Sequence, residues 1–165
     1  MVIIKTNKKK SRLWCFIICI LFSFIVFGGC GSTNEYLDKS GIQQEYQEAI
    51  AELELPPGFI FPDEIRIEGT SFQKGVGIVS AQSYWMAAWQ TEWLEQRNKD
   101  EERAQRALDV LRNEVYKSEF FLHYLDEYGR ECLEEYLTKA ELGDPSGYQY
   151  DRGVNPEELI RVVMD

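Results

Sequence analysis

Apolar and polar positions divide this chain into an apolar run near its start and a longer polar-rich remainder. The run covers residues 13–27, where Ser23 is the only polar side chain, and it follows a basic stretch that contains Lys5, Lys8 and Arg12. A membrane-spanning helix needs about 20 apolar residues, whereas the apolar segment of a signal peptide needs about 7–15. The length of the run therefore favours a signal peptide over an uncleaved anchor.

In the remainder, apolar residues recur at intervals of three and four, which is the spacing of one face of an α-helix. The pattern predicts helices over 42–54, 79–97, 100–128, 130–142 and 156–164. Ser40, Asn98 and Asn155 are placed to cap the first, third and last of them. The segment 144–147, Asp-Pro-Ser-Gly, predicts a turn.

Between the first two helices the pattern is irregular. Pro56 and Pro57 end the first helix, because proline lacks the N–H that a helix interior needs. The apolar segment 58–62 that follows either exposes Phe59 and Phe61 as a hydrophobic peptide or lies across a helical core, and burial is the commoner outcome. Alternating residues 65–67 permit a short strand.

These elements predict a mainly α fold: a small helical domain of four to five helices, with an irregular Pro/Gly-rich segment and at most a short strand pair. The predicted division is a signal peptide over 1–29, a lipidated tether over 30–40 and a single helical globular domain over 41–165. A tether is indicated by the polar Gly-Ser-Thr-Asn sequence at 31–34.

The end of the apolar run carries the most specific motif. Gly28 and Gly29 precede Cys30, and small side chains before a cleavage site let a peptidase approach the backbone. The sequence Val26-Phe27-Gly28-Gly29-Cys30 resembles the lipobox of bacterial lipoproteins, although Phe27 stands where that family usually has Leu. The resemblance implies a diacylglycerol on Cys30, cleavage before it, and attachment to the membrane. Secretion after ordinary cleavage and an uncleaved anchor are the alternatives.

Charge narrows the choice of partners. The chain has 18 Lys and Arg against 28 Asp and Glu, and the first 29 residues hold five of the basic and none of the acidic side chains. The remainder would have 13 against 28, a formal charge of −15. That excess argues against nucleic acid and against anionic surfaces. It leaves a basic protein, a basic peptide or a cation as a partner, while the simplest role of the acidic residues is solubility.

Two groups of aromatic residues are candidate ligand or partner contacts. Trp85, Trp89 and Trp93 are spaced by four, so they lie along one side of a helix. Stacked indoles suit a sugar ring or a cation, but three tryptophans at this spacing more often build the core of a small domain. Phe59 and Phe61 form the second group.

For the other candidate functional residues, the sequence favours structural roles. His123, the only histidine, has Glu119 and Glu127 four residues to either side, yet a catalytic zinc site usually needs more histidine. Cys132 lies on an apolar stripe and is expected to be buried. The glycines at 75 and 77 lack the Lys-Ser/Thr of a phosphate loop. The sequence predicts no catalytic residue, no metal and no cofactor.

The sequence therefore favours a lipoprotein on the outer face of the cytoplasmic membrane, or of an outer membrane where the organism has one, that binds a protein or ligand without catalysis. The alternative is an exported enzyme that uses two carboxylates on cell-wall glycan.

Overall fold

The computed structural model describes residues 36–155 and 158–162, and the signal peptide and Cys30 lie outside them. The described residues form five α-helices: α1 Lys39–Ile50, α2 Val76–Gln96, α3 Glu101–Asn113, α4 Glu127–Glu141 and α5 Ser146–Val154. Four two-residue strands accompany them: β1 Tyr36–Leu37, β2 Phe59–Ile60, β3 Phe72–Gln73 and β4 Ile160–Arg161. The predicted mainly α fold is confirmed, although the strands make two antiparallel pairs, β1–β3 and β2–β4, where at most one was expected.

Helix α2 is the centre of the fold, because it packs against α1, α3 and α5. Its apolar residues extend around much of its surface, as expected for a helix surrounded by others. Two buried polar side chains join it to its neighbours. Glu92 forms an ion pair with Arg103 of α3 at 2.7 Å, and Gln90 donates a hydrogen bond to Asp151 of α5 at 2.9 Å.

Helices α1 and α2 approach closely at Gly77. A Cβ at that position would lie 2.4 Å from the carbonyl oxygen of Ile42, so only glycine fits. The Glu45 carboxylate of α1 accepts hydrogen bonds from the backbone N–H groups of Gly75 and Gly77, at 2.9 and 3.3 Å. The glycines that resemble part of a phosphate loop thus bind a carboxylate of the same chain at a helix N-terminus.

The C-terminal part of the chain differs from the prediction. The helix predicted over 156–164 is wrong, because Ile160–Arg161 is a strand that pairs with Phe59–Ile60. The Tyr84 hydroxyl fixes both strands, since it donates to the Ile60 carbonyl and accepts from the Ile160 N–H, each at 2.7 Å. These tertiary contacts override the helix-start signal at Asn155, which is the C-cap of α5 instead.

The long helix predicted over 100–128 is also wrong in its second half. Helix α3 ends at Asn113, and a 3₁₀ turn, Val115–Lys117, and a π-helical turn, Phe120–Tyr124, precede α4. The break turns aromatic rings into the core, where Tyr116 and Phe121 stack with centroids 4.8 Å apart. The Ser118 hydroxyl, which accepts from the Phe121 N–H, supports the break.

Two helices begin at other N-caps than the sequence predicted, and a third begins where a turn was predicted. Asp38 caps α1 in place of Ser40, and Asp100 caps α3 in place of Asn98, each accepting from a backbone N–H three residues on. The predicted turn at 144–147 is the start of α5, where Asp144 accepts from the Ser146 N–H at 2.9 Å. Strand β1 and the first residues of α1 occupy part of the segment predicted as a tether. No strand forms at 65–67.

Candidate functional site

The three tryptophans of α2 lie in the core. Trp85, Trp89 and Trp93 are 4%, 1% and 2% exposed. The indole N–H groups of Trp85 and Trp89 both donate to the carbonyl of Glu54, at 2.8 and 3.0 Å. A ligand would contact these indoles only if the surrounding helices separated, so the arrangement favours the core alternative.

The segment containing Phe59 and Phe61 lies across the helices, which is the second of the two alternatives that the sequence left open for it. Phe59 is buried, and the Arg161 guanidinium lies 4.1 Å from the centroid of its ring. Phe61 is half-buried and packs on Tyr84, with ring centroids 5.4 Å apart. Only Ile60, between them, is exposed. The segment is therefore a packing element with little apolar surface to offer a partner.

The single histidine does not lie between Glu119 and Glu127 on one helix, as the sequence suggested: Glu119 directly precedes the same helical turn, but Glu127 belongs to the next helix. His123 is exposed on the π-helical turn, whereas Glu127 begins α4 beyond the extended residue Leu125. The one-helix face that would have joined them is absent. In the part of the chain that the structure describes, no group of three or more His, Cys, Asp and Glu residues is arranged to hold a metal ion.

A groove between α4 and α5, with a cavity volume of about 380 Å³, is the strongest candidate site. We call it the α4–α5 groove. Its apolar part is formed by Met86, Phe120, Leu125 and Leu133. Its polar part comes from the two helices: Tyr128, Cys132 and Tyr136 of α4, and Tyr150, Asp151 and Arg152 of α5. A mostly apolar cavity of this size with a few polar groups is typical of a binding site.

Large side chains at the edge of the groove are unusually exposed. Tyr128 is 74% exposed, Tyr150 60% and Val154 53%. Three exposed large side chains around one cavity form a patch rather than scattered surface residues, and such patches mark interaction sites. Tyrosine is also enriched in protein interfaces, because it combines apolar area with a hydrogen-bonding group.

The phenols of α4 remain protonated at neutral pH. Burial, together with Cys132, Asp151 and Tyr150 nearby, raises the pKa of Tyr136. The neighbouring Cys132 thiol is the largest of the influences that raise the pKa of Tyr128. Cys132, expected to be a buried apolar residue, is half-buried and lines the groove. The hydroxyls therefore add hydrogen-bonding capacity to the groove without adding negative charge.

Asp151 supplies the negative charge of the groove. It is 5% exposed, and its two carboxylate oxygens accept from Gln90 Nε2 and Asn155 Nδ2, each at 2.9 Å. Both donors are neutral amides. Within residues 36–155 and 158–162, no Lys, Arg or His side chain forms an ion pair with this carboxylate. The Asp151 carboxylate is thus held by hydrogen bonds from neutral groups rather than by an ion pair.

Sequence reasoning missed the residues of this groove because it missed α5. With Asp144-Pro145-Ser146-Gly147 interpreted as a turn, nothing placed Tyr150 or Asp151 opposite α4. The available signal was the pair of tyrosines at 148 and 150 beside an aspartate, in a segment whose Asp-Pro-Ser start also suits a helix.

Two further cavities are weaker candidates for a binding site. One of about 260 Å³ lies beside β4, with the exposed ion pair of Arg66 and Glu158 among its lining residues. Another of about 360 Å³ contains Glu45 and Lys74 and is more open to solvent. Neither has the exposed aromatic edge of the α4–α5 groove.

Comparison with known proteins gave no match: no family model, curated protein or solved structure is similar to this chain. Among the described helices, none is both long enough and apolar enough to span a membrane.

Proposed function

We propose that this protein is a membrane-anchored extracytoplasmic lipoprotein, attached through Cys30, whose helical domain binds a basic protein partner through the α4–α5 groove. The anchor is supported by the resemblance of residues 26–30 to a lipobox. The binding role is supported above all by the exposed Tyr128, Tyr150 and Val154 around the groove. The basic character of the partner is supported by the acidic chain and by the Asp151 carboxylate, whose hydrogen-bond donors are neutral amides.

The groove supports a binding role better than the enzymatic alternative. Hydrolysis of a glycosidic bond usually needs two carboxyl groups that face each other across the substrate. Of the described residues that line the α4–α5 groove, Asp151 is the only Asp or Glu. Asp144 lies elsewhere, and hydrogen bonds from Ser146 lower the pKa of its carboxyl, the direction opposite to that of a general acid.

Position-specific crosslinking in the native cell envelope tests the binding role. A photoreactive amino acid at position 150 should yield a crosslinked protein. The same residue at position 36 should not, because Tyr36 has a similar exposure of 64% but lines no cavity described above. The captured protein, once purified, should bind the full chain about tenfold more weakly when Tyr150 is replaced by Ala, as expected of an aromatic interface residue.

Tyr36→Ala should leave the affinity unchanged. Equal crosslinking at positions 36 and 150, or an affinity that Tyr150→Ala does not alter, would remove the groove from the proposed function.

A further inference from the structure

We infer that the α4–α5 groove binds the guanidinium group of an arginine side chain of the partner, with Asp151 as the anion and the rings of Tyr136 and Tyr150 as flanking surfaces. The inference rests on the proposed function, since it names the chemical group that the groove recognises.

The first support is the state of Asp151. A buried carboxylate is costly unless its charge is matched, and buried charges in proteins are usually paired. Here the two oxygens accept one amide hydrogen bond each, from Gln90 and Asn155, while each oxygen has two lone pairs. One acceptor position per oxygen therefore remains beyond these amide bonds, and a cationic donor entering through the groove would complete the site.

The second support is the arrangement of the rings. Tyr136 and Tyr150 lie with centroids 6.3 Å apart and planes inclined at 64°. A planar guanidinium stacks on an aromatic face and donates hydrogen bonds in its own plane, which lysine cannot reproduce. Because the pKa of Tyr136 is raised, its hydroxyl stays neutral and available as a donor or acceptor at physiological pH.

The third support is the charge around the groove. Helix α4 carries the exposed glutamates Glu127, Glu131, Glu134 and Glu135. Arg152, which lines the groove, donates to the Asn155 carbonyl, and Arg130 of α4 donates to the Leu125 carbonyl. The glutamates attract a basic partner from solution, and this long-range attraction favours an arginine-bearing segment over a neutral one.

Small probes test the inference without a known partner. The full chain, labelled with ¹³C-tyrosine and held in a maltoside detergent, is titrated with N-acetyl-arginine methylamide and with its neutral isostere, N-acetyl-citrulline methylamide. A phosphocholine detergent is avoided because its quaternary ammonium would compete for the same site. Tyr→Phe variants assign the nine tyrosine signals.

Saturable shifts of the Tyr136 and Tyr150 signals are expected with the arginine probe, with Tyr36 unaffected. The arginine probe should bind about tenfold more tightly than the citrulline probe, because cation–π contacts and a charge-assisted hydrogen bond are lost in the isostere. Asp151→Asn should remove that difference while leaving citrulline binding unchanged. Tyr150→Leu, at a position that is 60% exposed, should also weaken arginine binding.

Three results would overturn the inference. These are equal affinities for arginine and citrulline, no shift of the groove tyrosines with either probe, and tighter binding of N-acetyl-lysine methylamide than of the arginine probe. The comparison of arginine with citrulline uses the unmodified chain, so it stands even if Asp151→Asn does not fold. If the groove binds a partner by other contacts, these three results would leave crosslinking at position 150 intact. Failure of this inference can therefore be distinguished from failure of the proposed function.

Discussion

Replacing Trp89 by Ala tests whether the tryptophan stripe of α2 holds the domain together. Trp89 is 1% exposed, and truncation of a fully buried aromatic side chain costs about 3–5 kcal/mol. The lost hydrogen bond adds little, because the Glu54 carbonyl keeps the Trp85 indole as a donor. Arg106, 6.0 Å from the Trp89 ring centroid, contributes about 0.5–1 kcal/mol through a cation–π contact, because its own side chain is largely exposed. The free energy of unfolding should therefore fall by about 3–5 kcal/mol.

That loss is a large share of the roughly 5–15 kcal/mol that stabilises a typical domain. It should lower the melting temperature by roughly 10–20 °C for a domain of this size. Thermal unfolding followed by circular dichroism measures the shift. Trp89→Phe, which keeps a ring in the core, should lose less than half as much. Leu142→Ala, at a position 83% exposed, should change stability by no more than about 0.5 kcal/mol. An unchanged melting temperature for Trp89→Ala would refute the core role and would favour a ligand-binding role for the indoles.

Three further outcomes are expected. Cys30→Ser should abolish incorporation of a fatty-acid analogue in metabolic labelling, and equal labelling of variant and parent would show that Cys30 is not the acceptor. Gly77→Ala should lower the free energy of unfolding in urea by about 1–3 kcal/mol, because its Cβ would meet the backbone of α1. The control Gly153→Ala, with open space around it, should be neutral or stabilising by up to about 1 kcal/mol. Equal effects of the two substitutions would contradict the close contact between α1 and α2. Burial raises the pKa values of Tyr116 and Tyr148 far above 10.0. Because the unfolded chain then loses protons first, the free energy of unfolding should be unaffected below pH 10 and fall above it by about 1.4 kcal/mol per pH unit for each tyrosine. Tyr148→Phe should reduce that slope by about 1.4 kcal/mol per pH unit, and an unchanged slope would show that Tyr148 is not shielded.

The sequence predicted the helices well where apolar residues recur at helical spacing over a long uninterrupted stretch. Residues 79–97 satisfy this condition, and α2 covers Val76–Gln96. The spacing of Trp85, Trp89 and Trp93 required no knowledge of tertiary contacts to place them on one side of a helix. The fold class followed from such stretches.

The prediction failed where two distant segments decide the local structure. The sequence around Ile160 contains a helix-start signal, but the free strand edge at Phe59–Ile60 and the Tyr84 hydroxyl, 76 residues away, determine its conformation. Within 100–128 the apolar spacing is helical, yet burying Tyr116 and Phe121 together requires a break near Ser118. The apolar spacing within one segment does not show the free energy that the segment gains by packing against residues far along the chain.

The same non-local contacts shape the α4–α5 groove. Gly147 lets the start of α5 lie against α4, because a Cβ there would come within 2.8 Å of the Tyr136 backbone. Further along α5, the hydrogen bond from Gln90 to Asp151 joins it to α2. Helix α5 is therefore fixed at two points before any ligand arrives. If the groove binds a partner as proposed, it would lose little conformational freedom, so the exposed ring of Tyr150 would contribute to affinity without the cost of ordering its helix.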